Sequence, residues 1–134
     1  LTETNKEITA LISTQKSLID SLKFYSENNK ISLMDIVLKN NGVKIPTIKI
    51  NSWKAISNSR IELLQYEQLS ILANIEEEKG NLKMKTDKLG TLIYSNIKET
   101  GKEKKEIMMI IMFDIIQTEI SIQREIGRVT CKNE

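Results

Sequence analysis

The sequence offers few side chains that could perform chemistry, and three consecutive acidic residues are the first of them. Glu76, Glu77 and Glu78 stand together in a segment with a helical pattern. Consecutive residues of a helix point about 100° apart, so these carboxylates cannot converge on one metal ion without ligands from another segment. We predict a solvated acidic face here, with a cation site as the alternative.

Asp114 is the acidic residue inside the most apolar stretch of the chain, MMIIMFDIIQ. A buried carboxyl at this position would have a raised pKa and could mark a functional site. The interpretation we favour places Asp114 on a narrow polar stripe with Gln117, either exposed or paired with a lysine. Cys131 could attach a lipid or a disulfide partner, but we expect an ordinary thiol there.

Histidine is missing from the chain. Its absence excludes histidine-based acid–base catalysis, Ser-His and Cys-His nucleophile pairs, and most zinc and non-haem iron sites. With a single cysteine, the chain cannot form an internal disulfide. We therefore predict no catalytic residues, no cofactor and no metal, and we expect that the protein is not an enzyme.

Aromatic and methionine side chains give two further candidates. Trp53 and Tyr66 could stack on a ligand, but we predict that they are structural anchors, with Trp53 filling the junction between a connector and a helix pair. The cluster of Met108, Met109 and Met112 could form an adaptable recognition surface. Core packing is the interpretation we favour for this cluster, and a protein interface is the alternative.

Composition points to packed helices. The 134 residues are 40% hydrophobic and 28% charged, with one proline, and their 22 Ile and 13 Leu far outnumber 6 aromatic residues. An aliphatic core with almost no proline suits an all-α helical bundle. The net charge is only +2, with both signs interspersed, so we expect no nucleic-acid binding. No apolar run approaches the 18 or more residues of a membrane span.

Hydrophobic spacing divides the chain into four parts of one helical domain, 1–134. The first is a long helix over 1–27, whose apolar positions alternate three and four residues apart, as in a coiled coil, with Gln15 completing the series. Short helices and a connector follow over 31–58. Two long helices, 61–98 and 102–129, are predicted to form an antiparallel hairpin. Gly80 and Gly90 leave open whether the first of these helices is continuous.

The region 31–58 carries the clearest local signals. Ser32 and Asp35 have the spacing of a capping box and predict a short helix over about 33–40. The segment NNG at 40–42 predicts its left-handed C-cap. Residues 43–50 then read as an extended connector whose isoleucines rest on helices. A further helix is expected to begin at Asn51 or Ser52, to break within SNSR at 57–60, and to resume at Ile61.

Residues 46–78, PTIKINSWKAISNSRIELLQYEQLSILANIEEE, resemble a group of small membrane-anchored proteins of unknown function that are frequent in Bacteroidota. Their pattern is a loop, Ser-Ala-Trp or a similar triplet, a small-residue stretch, a Leu-Leu-Asp-Tyr-Glu-Leu-like segment and a helix. The matching residues here are Ser52, Trp53, Ala55, Leu63, Leu64, Tyr66, Glu67 and Leu69. The glycine usual in the small-residue stretch is replaced within SNSR.

The resemblance implies a short basic cytoplasmic tail, one transmembrane helix and a helical domain at the periplasmic face of the bacterial inner membrane. It agrees with the start at Leu1 and with the uncapped first helix, which we expect to continue upstream. We predict a role in protein interaction or structure, through a protein partner or self-association. The alternative is a small-molecule-sensing bundle that passes a shift along the first helix to the membrane.

Overall fold

Four helices build the part of the chain that the computed structural model describes, residues 2–49 and 66–132. They are α1 (Thr2–Phe24), α2 (Leu33–Lys39), α3 (Tyr66–Ser95) and α4 (Lys102–Lys132). No strand occurs within the described ranges. The predicted all-α fold with bundle-like packing is therefore confirmed. Trp53, the expected helix start at Asn51 or Ser52, and the SNSR break lie outside the described residues.

The capping signals around α2 are confirmed. Ser32 Oγ accepts from the Asp35 amide at 3.1 Å, and an Asp35 carboxylate oxygen accepts from the Ser32 amide at 3.0 Å. The bond from the Ser32 amide is the main cause of the lowered pKa of Asp35. At the other end Asn41 (φ 60°) and Gly42 (φ 90°) are left-handed, and the Gly42 amide donates to Val37 O at 2.9 Å.

α3 and α4 form the predicted antiparallel hairpin, joined by the turn at residues 96–101. Lys85 of α3 lies beside Asp114 of α4, which shows the antiparallel register. α3 ends at Ser95 rather than at residue 98, and residues 61–65 lie outside the described part. α4 continues to Lys132, three residues beyond the predicted end at residue 129.

α4 is the central helix, because it packs against both α3 and α1. α1 runs antiparallel to it: Gln123 reaches Thr9 near one end, and Lys105 reaches the carbonyl of Tyr25 at the other. The aliphatic stripes of the helices meet in one core cluster. Burial of these stripes is the main stabilising contribution to the packing.

The methionine cluster belongs to this core. Met108 and Met112 are 0% exposed, and Met109 is partly buried against the same cluster. An interface role is therefore wrong for Met108 and Met112 in the folded chain, and core packing is the correct interpretation. The physical reason is that α4 packs against α1 on one side and against α3 on another. Its wide apolar stripe, which in the sequence could suggest an exposed surface, is therefore covered by these two helices where Met108 and Met112 lie.

α3 passes through Gly80 and Gly90 without interruption, and added Cβ atoms would meet nothing within 4 Å at either position. We expect Gly80→Ala and Gly90→Ala each to raise the free energy of unfolding by about 0.5–1 kcal/mol, because alanine loses less backbone entropy in a helix. Urea denaturation measures this. Gly42→Ala is the contrasting variant, since φ is +90° there, and it should destabilise. Equal effects at all three positions would contradict the explanation.

The connector over residues 43–49 is extended and runs back along α1. The Lys49 amide lies 3.4 Å from Thr4 Oγ1, and the Thr47 amide lies 3.2 Å from a Glu7 carboxylate oxygen. Ile48 is 4% exposed. The predicted connector with isoleucines resting on helices is thus confirmed for its described residues. Its course places the carbonyl of Lys44 over the middle of α1.

Candidate functional site

Of the acidic residues singled out in the sequence, Asp114, Glu77 and Glu78 are exposed or paired, and Glu76 is partly buried. Asp114 has a side chain 57% exposed and lies 3.1 Å from Lys85 Nζ, so the predicted exposed or lysine-paired position is confirmed. Glu77 is exposed and Glu78 accepts a hydrogen bond from Asn81 at 3.1 Å. Across the described residues, no group of three or more acidic or cysteine side chains is placed to hold a metal ion.

The aromatic anchor prediction is wrong for Tyr66, whose side chain is 86% exposed at the start of α3. Tyr66 is the first residue of α3, and the buried residues of this helix begin more than one turn later, with Ile71 and Leu72. Cys131 lies on the last turn of α4, and its side chain is outside the described part.

The structure instead brings together two polar side chains that sequence reasoning did not select as a site, Gln15 and Glu119. They are 1% and 0% exposed, and both lie in the interface of α1 with α4. A signal for each was present: Gln15 occupies a core position of the α1 stripe, and Glu119 falls in the gap between Ile115 and Ile122 of the α4 stripe. Buried polar groups are almost always hydrogen-bonded, so polar residues at core positions of two packed helices are candidate hydrogen-bond partners.

The amide of Gln15 joins three elements. Its Nε2 donates to Glu119 Oε2 at 2.9 Å and to the Lys44 carbonyl at 2.9 Å. α1, α4 and the connector are therefore held at one point by a single side-chain amide. Both of its hydrogens are used, because an amide nitrogen carries two donors.

Two oxygens of this pair have no partner. Gln15 Oε1 and Glu119 Oε1 are buried, and neither accepts or donates a hydrogen bond within the described structure. Leaving a buried acceptor without a donor costs about 1–3 kcal/mol. The arrangement thus contains more acceptors than donors.

Burial raises the pKa of Glu119 to about 7, and the hydrogen bond from Gln15 opposes this rise only in part. The physical cause is the loss of water around the charged form. A carboxyl with this pKa changes its charge near neutral pH, where ordinary glutamates are fully ionised. The chemistry this pair supports is the uptake and release of a proton.

Lys105 is a second buried ionisable residue, at 0% exposure near the start of α4. Its Nζ donates to the carbonyls of Tyr25 and Asn28 at 2.8 Å each, and burial lowers its pKa. These carbonyls follow the C-terminal end of α1, where a positive charge is favourable. Lys105 therefore fastens the end of α1 to the hairpin.

The surface of the α1–α4 pair exposes both phenylalanines of the chain. Phe24 is 80% exposed, Phe113 is 44% exposed, and Ile110, three residues before Phe113, is 67% exposed. The two helices are adjacent here, since Lys23 Nζ lies 5.6 Å from the centre of the Phe113 ring. We refer to Phe24, Ile110 and Phe113 as the phenylalanine surface.

Comparison with known proteins gives no relative to guide the assignment: no protein-family model, no curated protein and no solved structure matches the chain. A search of the described helices for a segment long and apolar enough to cross a membrane finds none. The functional argument therefore rests on the residues themselves.

Proposed function

We propose that this chain acts in protein interaction, and specifically that it self-associates through the phenylalanine surface. The observation that carries the proposal is the position of the two phenylalanines. The described core cluster is built from isoleucine, leucine, methionine and one valine, while both phenylalanines lie outside it. Large exposed aromatic side chains are enriched at protein interfaces and often provide much of the binding energy.

Three features of the phenylalanine surface support this role. Phe24 is the last residue of α1 and follows Lys23, which lies beside the Phe113 ring of α4, so the two phenylalanines belong to adjacent helices. Ile110 extends the apolar area along α4, one turn from Phe113. Lys23 lies beside the Phe113 ring, which supplies a polar border of the kind that surrounds interface cores.

Sedimentation from low to high micromolar concentration tests the proposal. We expect the weight-average mass to rise from the 15.4 kDa of one chain toward twice that value. The double variant Phe24→Ser/Phe113→Ser should remain at the mass of one chain, because it removes the apolar area without touching the core.

The matched control is Tyr94→Ser/Met84→Ser, which removes two side chains of α3 that are 78% and 63% exposed. This variant should associate like the parent chain. A parent chain that stays at the mass of one copy, or a loss of association that is equal in both double variants, would contradict a specific role for the phenylalanine surface.

As the setting for this role, we propose a domain of a single-span membrane protein at the periplasmic face of the bacterial inner membrane. The support is the resemblance of residues 46–78 to membrane-anchored proteins. This part of the proposal requires an apolar segment of about 20 residues encoded upstream of Leu1. A complete reading frame without such a segment would overturn it and leave the self-association proposal intact.

A further inference from the structure

We propose that Gln15 and Glu119 form a proton-binding site, in which one proton on the Glu119 carboxyl completes the hydrogen bonding between α1 and α4. The site lies away from the phenylalanine surface and does not depend on the proposed self-association. Its ligand is the proton alone.

The Gln15–Glu119 pair has fewer hydrogen-bond donors than acceptors. Both hydrogens of the Gln15 amide are used, on Glu119 Oε2 and on the Lys44 carbonyl. This leaves Glu119 Oε1 and Gln15 Oε1 as buried acceptors with no donor. A proton on Glu119 Oε1 converts one of these acceptors into a donor, which is what the pair lacks.

An ionised Glu119 would also lack a positive partner. Lys16 of α1 and Lys44 of the connector adjoin the pair, and Lys85 of α3 contacts Thr118, the residue before Glu119. Lys16 and Lys44 are exposed, and Lys85 binds Asp114 and Thr118. No ion pair to Glu119 occurs among the described residues. A buried carboxylate without a cation is unfavourable, so the neutral acid is preferred.

The proton should make stability depend on pH in a defined direction. The pKa of Glu119 is raised in the folded chain, to about 7 from an ordinary 4.5, so between these values the folded state binds more protons than the unfolded state. Stability must then fall as pH rises through this window and level off above it. From about pH 5 to about pH 8 the folding equilibrium constant should fall roughly 50- to 100-fold from this site.

The chain is well suited to the measurement because it has no histidine. In most proteins histidines titrate over this same range and hide the contribution of a single carboxyl. Carboxyls of ordinary pKa titrate at lower pH, and lysines of ordinary pKa titrate at higher pH. A change of stability between about pH 5 and about pH 8 therefore reports on very few groups.

The experiment combines carboxyl-carbon NMR of the intact chain with urea denaturation across this pH range. In the parent chain, the Glu119 carboxyl should titrate with a midpoint near 7. Glu119→Gln carries an amide with permanent donors in place of the acid. That variant should lose the pH dependence and should be more stable than the parent chain at about pH 8.

Glu103→Gln is the matched control, because it makes the same change at an exposed position of the same helix. It should keep the pH dependence of the parent chain. A Glu119 midpoint near the ordinary glutamate value would overturn the proposal, as would equal pH dependence of the parent chain and of Glu119→Gln. The NMR measurement on the parent chain decides the question even if Glu119→Gln fails to fold.

Discussion

Ile115→Ala is expected to lower the free energy of unfolding by about 2–5 kcal/mol. Ile115 is 0% exposed and lies in the middle of α4, the helix that packs against both α1 and α3. Removing its side-chain carbons forfeits their transfer from water and leaves a cavity that a rigid three-helix contact closes only partly. Urea denaturation monitored by circular dichroism measures the loss.

Ile110→Ala provides the control for this result. Ile110 has the same side chain on the same helix five positions earlier, but it is 67% exposed. At a protein concentration low enough to avoid association, its replacement should change the free energy of unfolding by less than about 0.5 kcal/mol. If both variants lost the same stability, α4 would not be the central helix of the core.

Lys105→Glu is expected to lower the free energy of unfolding by about 3–5 kcal/mol, the range for an uncompensated buried charge. The change removes a donor from the carbonyls of Tyr25 and Asn28 and replaces it with a carboxylate at the negative end of α1. Both the loss of hydrogen bonds and the repulsion act in the same direction. Chemical denaturation at neutral pH measures the effect.

Lys102→Glu is the matched comparison, because it makes the same change of charge one turn earlier, where the lysine is 53% exposed and paired with Glu27. An exposed ion pair contributes little, so this variant should lose far less stability than Lys105→Glu. Amide exchange near the end of α1 should also accelerate in Lys105→Glu alone. Equal losses in the two variants would show that Lys105 does not fasten α1 to the hairpin.

The residues whose replacement is expected to change stability most belong to one helix, α4. Ile115, Lys105 and Glu119 all lie on α4, and each faces a neighbouring element rather than solvent. Lys105 binds the carbonyls at the C-terminal end of α1. Glu119 binds Gln15 near the middle of α1. The core contacts of α4 supply stability, and its two buried ionisable residues each contact a polar group of α1 or of the loop that follows it.

Local signals predicted the elements well because their causes lie within a few residues. The capping box of Ser32 and Asp35 and the left-handed Asn41–Gly42 segment involve neighbours in the chain, so their geometry follows from residue type and spacing. The aliphatic stripes likewise predict long helices, since a period near 3.6 requires no knowledge of the partner helix.

The candidate site could not be predicted in the same way, because its partners are far apart in sequence. Gln15 and Glu119 are separated by 104 positions and meet only in the register that α1 and α4 adopt. By contrast, the acidic run at 76–78 and Asp114 were conspicuous in the sequence and lie on or near the surface. A residue's type shows which chemistry it can do, but burial decides its pKa.

The same distinction explains the methionine cluster and Tyr66. Their apolar character is visible in the sequence, yet whether a wide apolar stripe faces a neighbour or solvent depends on how many helices surround it. Met108 and Met112 are enclosed because α4 has helices on two sides, whereas Tyr66 is exposed at the first turn of α3.

By itself, the sequence determined the all-α class, the helices, the cap of α2, the extended connector and the absence of histidine chemistry, because these follow from composition and from interactions between near neighbours. Only the tertiary structure decided that α4 is central, that Lys105 closes the end of α1, and that Glu119 is buried beside Gln15 with no cation from the described residues paired to it. These features depend on helix register and on the exclusion of water, which arise only when distant segments pack together.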